Sequence, residues 1–148
     1  MHSFRPATGP AHLLHRYLIG LDDEKLDDAW ASTLFTEDAV VAFPMSRHSG
    51  IEGLAAYHRD SLSAFRSTQH LAGPAVVDPL GDDLVRLRAN LISTHVHHGP
   101  PQTPLFVTGT FVTGEARRLP DDQWRLASLA FHVVWMTGSP PSTQETAS

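Results

Sequence analysis

Cysteine is absent from this chain of 148 residues. That one absence excludes disulfides, thiolate nucleophiles and cysteine-ligated metal centres. Positive charge is scarce too: 11 Lys and Arg stand against 16 Asp and Glu, for a formal net charge of −5. With no basic block and no aromatic–basic interleaving, nucleic acid is not an expected partner. No apolar run approaches the roughly twenty residues that span a bilayer, so no membrane partner is expected. The opening MHSFRPATGP has no apolar core of the secretory kind. No glycine-rich loop of the dinucleotide or P-loop type occurs, and no cofactor is expected. What these absences leave is a cytoplasmic protein held together by packing. Its 41% hydrophobic and 18% charged residues are ordinary for a globular domain, and its length suits one domain with a real core.

Histidine is the compositional oddity, with ten in the chain. His2, His48 and His98 fall in terminal or loop segments and read as solvated. His70, His95 and His132 lie inside apolar segments.

The pattern predicts loose tails over residues 1–10 and 139–148, rich in Ser, Thr, Pro and Gly, around a single domain over 11–138. Residues 11–21 read as a helix, with Leu14, Tyr17, Leu18 and Leu21 at helical spacing. A second helix is expected through KLDDAWASTLF, where Leu26, Trp30 and Leu34 recur every four residues. AVVAF, residues 39–43, reads as a strand and residues 44–50 as a loop. Residues 51–65 return to helical spacing through Leu54, His58, Leu62 and Phe65. From His70 the period becomes two: HLAGPAVVD, LVRLRANLISTHVHH, LFVTGTFVTGEARR and WRLASLAFHVVWM are predicted strands joined by turns. Helices first and long antiparallel strands last indicate an α+β fold. Within residues 85–97 the set Val85, Leu87, Ala89, Leu91, Ser93, His95 and His97 shares one face. That face is apolar and must look inward, so His95 shares the core side. His70 sits at the inner end of its own strand.

LDDEKLDDAW, LFTEDAVVAF, GIEGLAAYH, TQHLAG and the final WRL…VVW together resemble the SnoaL-like branch of the nuclear transport factor 2 superfamily, which includes scytalone dehydratase and small polyketide cyclases. The resemblance runs from about Leu13 to Trp135, and TQHLAG is its most specific element. It implies an NTF2-like cone: a strongly curved antiparallel sheet around a deep pocket that the N-terminal helices close. It also implies a His–Asp dyad, with His70 as the matching histidine and Asp22 in LDDEK as its acid, Asp23 being one residue away. His95 matches a second histidine on the following strand. The implied activity is a cofactor-free dehydration, cyclisation or isomerisation of a small hydrophobic hydroxylated or carbonyl compound, in polyketide-like specialised metabolism. A homodimer is implied as well. Substrate-holding tyrosines of the dehydratase are replaced by Phe43 and Leu21. Its next-strand Ser and Asn fall near Phe111 and Thr113, and Val134 stands where some relatives have an arginine.

Blander readings stand beside these. Without the resemblance His70 reads as a histidine capping a strand end, and Asp22 as a solvated helix-terminal acid. His95 is either an acid that stabilises an oxyanion or a hydrogen-bonding group inside a polar pocket. His95 and His97 project from one face, yet two histidines with no third ligand fixed by spacing make a poor metal site, and none is expected. His132 either lines the pocket or packs at a subunit contact. Glu115 is a late-strand acid or, beside Arg117 and Arg118, half of a surface ion pair. Tyr17, Phe43, Tyr57, Phe111 and Thr113 complete the candidate pocket. The competing class is a non-catalytic cone that binds a small ligand or pairs with another subunit.

Overall fold

The computed structural model describes residues 9–99 and 104–141. Pro10, expected in the leading tail, is instead the first residue of α1 (Pro10–Asp23). Its fixed φ and missing N–H suit a helix start. Leu13, Leu14, Tyr17, Leu18 and Leu21 form the buried stripe of α1. Helix α2 (Asp28–Leu34) is shorter than the periodicity suggested. Asp27 caps it by accepting the Trp30 N–H at 2.9 Å, which sets the start three residues late. Helix α3 (Leu54–Leu62) follows Gly53, whose φ of 79° lies in the left-handed region.

The strands are β1 (Phe35–Phe43), β2 (Ser46–Ser49), β3 (Ser67–Ala72), β4 (Val76–Pro79), β5 (Leu84–Val96), β6 (Leu105–Arg118) and β7 (Trp124–Gly138). They form one seven-stranded sheet in the order β2-β1-β7-β6-β5-β3, with β4 also paired to β5. Three expectations change here. The sheet is mixed, because β1 runs parallel to β7. The segment read as a loop contains β2, a short polar strand that pairs with β1. The strand expected from His70 to Asp78 begins at Ser67 and is broken at Gly73–Ala75, so β3 and β4 occupy successive lengths of the same partner strand.

The concave face carries the core. Leu87 lies opposite Gly114, which lies opposite Leu129, and Ala89, Val112 and Phe131 form the next row. The same buried cluster takes in Leu14, Tyr17 and Leu18 of α1 and Leu54 of α3, all essentially inaccessible. Each such fully buried leucine contributes about 2 kcal/mol of transfer free energy. Further along the same strands the concave rows change character: Ser93 lies opposite Thr108, and His95 opposite Phe106. The sheet therefore has an apolar half and a polar half, and the candidate site sits on the polar half.

Candidate active site

Asp22 lies in the last turn of α1, where the helix dipole disfavours an anion. Donors from β3 compensate. The His70 backbone N–H donates to Oδ2 at 2.7 Å, the His70 ring donates through Nδ1 to Oδ1 at 2.7 Å, and the Thr68 hydroxyl donates to Oδ1 at 2.9 Å. Thr68 and His70 are two apart on one strand, so both face the interior. Burial acts to raise the Asp22 pKa, but the hydrogen bonds from His70 and Thr68 and the His70 charge outweigh it and hold it below the ordinary carboxylate value. The His70 side chain is 7% exposed and Asp22 18%. Asp23 makes no such contact with His70, and the ion pair belongs to Asp22.

His95 is the diagonal neighbour of His70 on the adjacent strand, with ring centroids 6.3 Å apart and planes near perpendicular. Its Nδ1 lies 2.8 Å from the Phe106 carbonyl, which only an N–H can satisfy. Burial lowers the His95 pKa; the Phe106 bond acts the other way without reversing it. The ring is therefore neutral, with Nε2 as a free acceptor. Phe65 and Phe106 flank it, with centroids at 4.5 and 5.2 Å. With Nδ1–H donating to Asp22, the neutral form of His70 likewise presents Nε2 as an acceptor.

Tyr17, Phe43 and Tyr57 form a second cluster. They surround His58 together with Trp30 and Phe35, and Phe131 packs on Tyr17 and Phe43. His58 donates through Nδ1 to the Leu54 carbonyl at 2.9 Å and accepts the Tyr17 hydroxyl at Nε2, 2.8 Å away. Burial lowers its pKa to about 4 and pushes the Tyr17 phenol up. Sequence reading placed His58 only in a helical repeat. A titratable ring on the core stripe of an amphipathic helix was the available signal.

Phe111, Thr113 and His132 do not join either cluster. Their strands turn these residues to the convex face, because Phe111 lies opposite Asn90 and Thr113 opposite Arg88, both outward on β5. There Arg88 stacks on Phe111 at 4.1 Å, Phe111 stacks on His132 at 4.6 Å, and His132 Nε2 meets Thr113 Oγ1 at 3.1 Å. The inward residues of this part of β6 are Thr108 and Thr110, one strand from His95 and two from His70. Together with Thr68 and Ser93, these are the residues that sequence reasoning missed. Among the described residues no group of three His, Cys, Asp or Glu side chains is placed to hold a metal.

A cone of three helices on a curved, open sheet with this polar half is the NTF2-like architecture. Residues 11–130 match the SnoaL-like domain family, and the chain belongs to that family. Solved structures share the fold. A provisionally assigned scytalone dehydratase from Novosphingobium aromaticivorans superposes with a TM-score of 0.74 at 17% identity, covering 87% of this chain and 84% of that one. A hexachlorocyclohexane dehydrochlorinase from Novosphingobium barchaimii gives 0.72 at 18% identity, over 87% and 90% of the two chains. An NTF2-like superfamily protein of Salmonella enterica gives 0.72 at 16% identity, over 86% and 90%. No curated protein matches.

Proposed function

We propose that this protein is a cofactor-independent lyase, cyclase or isomerase whose base is His70, oriented by Asp22. The observation that carries the reading is the carboxylate itself: both oxygens are bonded to His70, at 2.7 Å each, on the concave face of the cone. A carboxylate partner fixes the ring tautomer and stabilises the imidazolium that forms. Positioned proton transfer of this kind contributes roughly 10²–10⁴ in rate. In a dehydration, Nε2 of His70 takes the proton beside a carbonyl, and the C–H electron pair forms the new double bond as the C–O bond breaks. His95 has committed its only N–H to Phe106, so in its neutral form it has no proton to give. The departing hydroxide therefore takes the proton from His70 Nε2 and leaves as water. His95 accepts a hydrogen bond from a substrate hydroxyl instead. Two solved neighbours carry names of elimination enzymes, which supports elimination over a merely binding cone. The substrate class is a small, neutral, largely apolar hydroxyketone, of the kind found in polyketide-like metabolism.

The test uses 4-hydroxy-4-phenylbutan-2-one, whose loss of water gives a conjugated enone read by its absorbance. The wild-type protein accelerates enone formation, and His70→Ala does not. An equal rate with and without wild-type protein, or an unaltered rate in His70→Ala, removes the reading.

We also propose a homodimer through the convex face. Leu71, Ile92, Gly109 and Trp135 form one row across four strands there. Leu71, Ile92 and Trp135 are all exposed.

A further inference from the structure

Two hydroxyls carried by largely buried residues on the concave face have no acceptor. Ser93 lies opposite His70 on one side and opposite Thr108 on the other, so the three residues form one row across β3, β5 and β6. Ser93 is 6% exposed and Thr108 8%. Ser93 Oγ has no hydrogen-bond partner among the described residues, and Thr108 Oγ1 only accepts, from Thr110 at 3.3 Å. Among the described residues the one inaccessible side-chain polar atom without a partner is Trp30 Nε1, so Ser93 Oγ is reachable from outside and free to donate.

The neighbours supply no other free donor. Asp22 already accepts three hydrogen bonds from β3. The Nδ1 protons of His70 and His95 are engaged, and with His70 in the unprotonated form that a base requires, each ring offers only an acceptor. A substrate oxygen that carries no hydrogen can be met on this row by the two hydroxyls alone.

We infer that Ser93 and Thr108 form a carbonyl-binding subsite that takes the oxygen of a neutral ketone. The inference rests on the reading of His70 as the base, and names the group that base activates. Residues directly opposite on neighbouring strands hold their Cβ atoms about 5 Å apart, so one oxygen between Ser93 and Thr108 receives both hydroxyl protons. His70 stands one strand further along the row, which sets Nε2 beside the carbon next to the carbonyl. When that carbon loses its proton to Nε2, the C–H electrons form a C=C bond and the carbonyl pair moves to oxygen. The oxyanion binds both donors more strongly than the ketone did, and donors aimed at developing charge lower the barrier. The Thr110 bond to Thr108 Oγ1 polarises that hydroxyl in the same sense.

The test compares acetophenone with ethylbenzene, which matches its shape but lacks the oxygen, and reads the infrared carbonyl stretch of bound acetophenone. Wild-type protein binds acetophenone at least ten-fold more tightly than ethylbenzene, and its carbonyl band lies below the value in an apolar solvent. Ser93→Ala and Thr108→Val each move the band back toward that value and remove most of the preference, whereas Thr108→Ser keeps both. Either variant decides alone if the other does not fold, as circular dichroism reports. Equal binding of the two probes, uptake of neither, or an unmoved band in the variants overturns the subsite. The band reports binding without turnover, so its outcome is separate from the enone assay that tests His70.

Discussion

Asp22 grips His70 twice, once at the backbone N–H and once at ring Nδ1, each at 2.7 Å. The main chain and the ring are thereby fixed by one carboxylate, and the ring cannot rotate without breaking one of two charge-assisted bonds. Asp22→Asn keeps an oxygen for one donor and places an amide where the second acceptor was. The expected result is a fall in enone formation on the order of 10²–10⁴, with the fold retained by circular dichroism. A variant with wild-type turnover would show that the carboxylate is not part of the chemistry.

Thr68 shares Oδ1 with the His70 ring. Thr68→Val preserves shape and removes the hydroxyl, leaving the His70 ring as the remaining donor to Oδ1. A hydrogen bond to a charged group is worth about 1.5–3 kcal/mol, so kcat should drop by about ten-fold or more while KM holds. The Nδ1–H proton of His70 should also exchange faster with water in NMR spectra, and Thr68→Ser should restore both. Unchanged exchange in Thr68→Val would reduce Thr68 to ordinary strand packing.

His58 makes stability depend on acidity. Its pKa falls from 6.5 to about 4 on folding, so the unfolded chain binds a proton that the native chain refuses. The stabilisation is complete above 6.5 and is lost as pH falls from there toward 4. At 1.36 kcal/mol per unit the full loss is about 3 kcal/mol. Urea midpoints measured from pH 7 down to pH 4.5 should decline steeply. His58→Phe should flatten that slope, though the orphaned Tyr17 hydroxyl costs about 1–3 kcal/mol at every pH.

On the convex face, the Trp135 indole lies across Gly109, where any Cβ would collide with it. Gly109→Ala must lift the indole and break the row formed with Leu71 and Ile92. Tryptophan emission should shift, and light scattering should show the dimer dissociating at a concentration at least ten-fold higher than wild type. Trp135→Glu should give a monomer outright. A wild-type protein that is monomeric at every concentration would end the pairing proposal.

The helices were legible because Leu14, Tyr17, Leu18 and Leu21 repeat at the period of a helix, and nothing local opposes that pattern. The concave side of β5 was legible for the same reason at period two: Val85 to Ser93 alternate as expected. β2 was not, since Ser46–Ser49 bears no apolar alternation and takes its order from pairing with β1. The parallel β1–β7 contact is set by tertiary packing that no local pattern carries. On β6 the resemblance points to Phe111 and Thr113, whereas Thr108 and Thr110 are the residues that face inward. Which alternating set looks inward there is fixed by the register with β5, and a lone strand does not display it. The His70–Asp22 contact was findable from TQHLAG and LDDEK through the resemblance, whereas the Thr68 bond and the facing of Ser93 and Thr108 required coordinates.

Among the described residues β3 ends the sheet on one side, with no strand beyond it. By occupying the outward N–H of His70, the Asp22 carboxylate seals that border with negative charge against a foreign chain seeking to extend the ladder. Truncation to Asp22→Ala would thus uncover a sticky margin as well as silence a base, and growth of aggregates would accompany the loss of turnover.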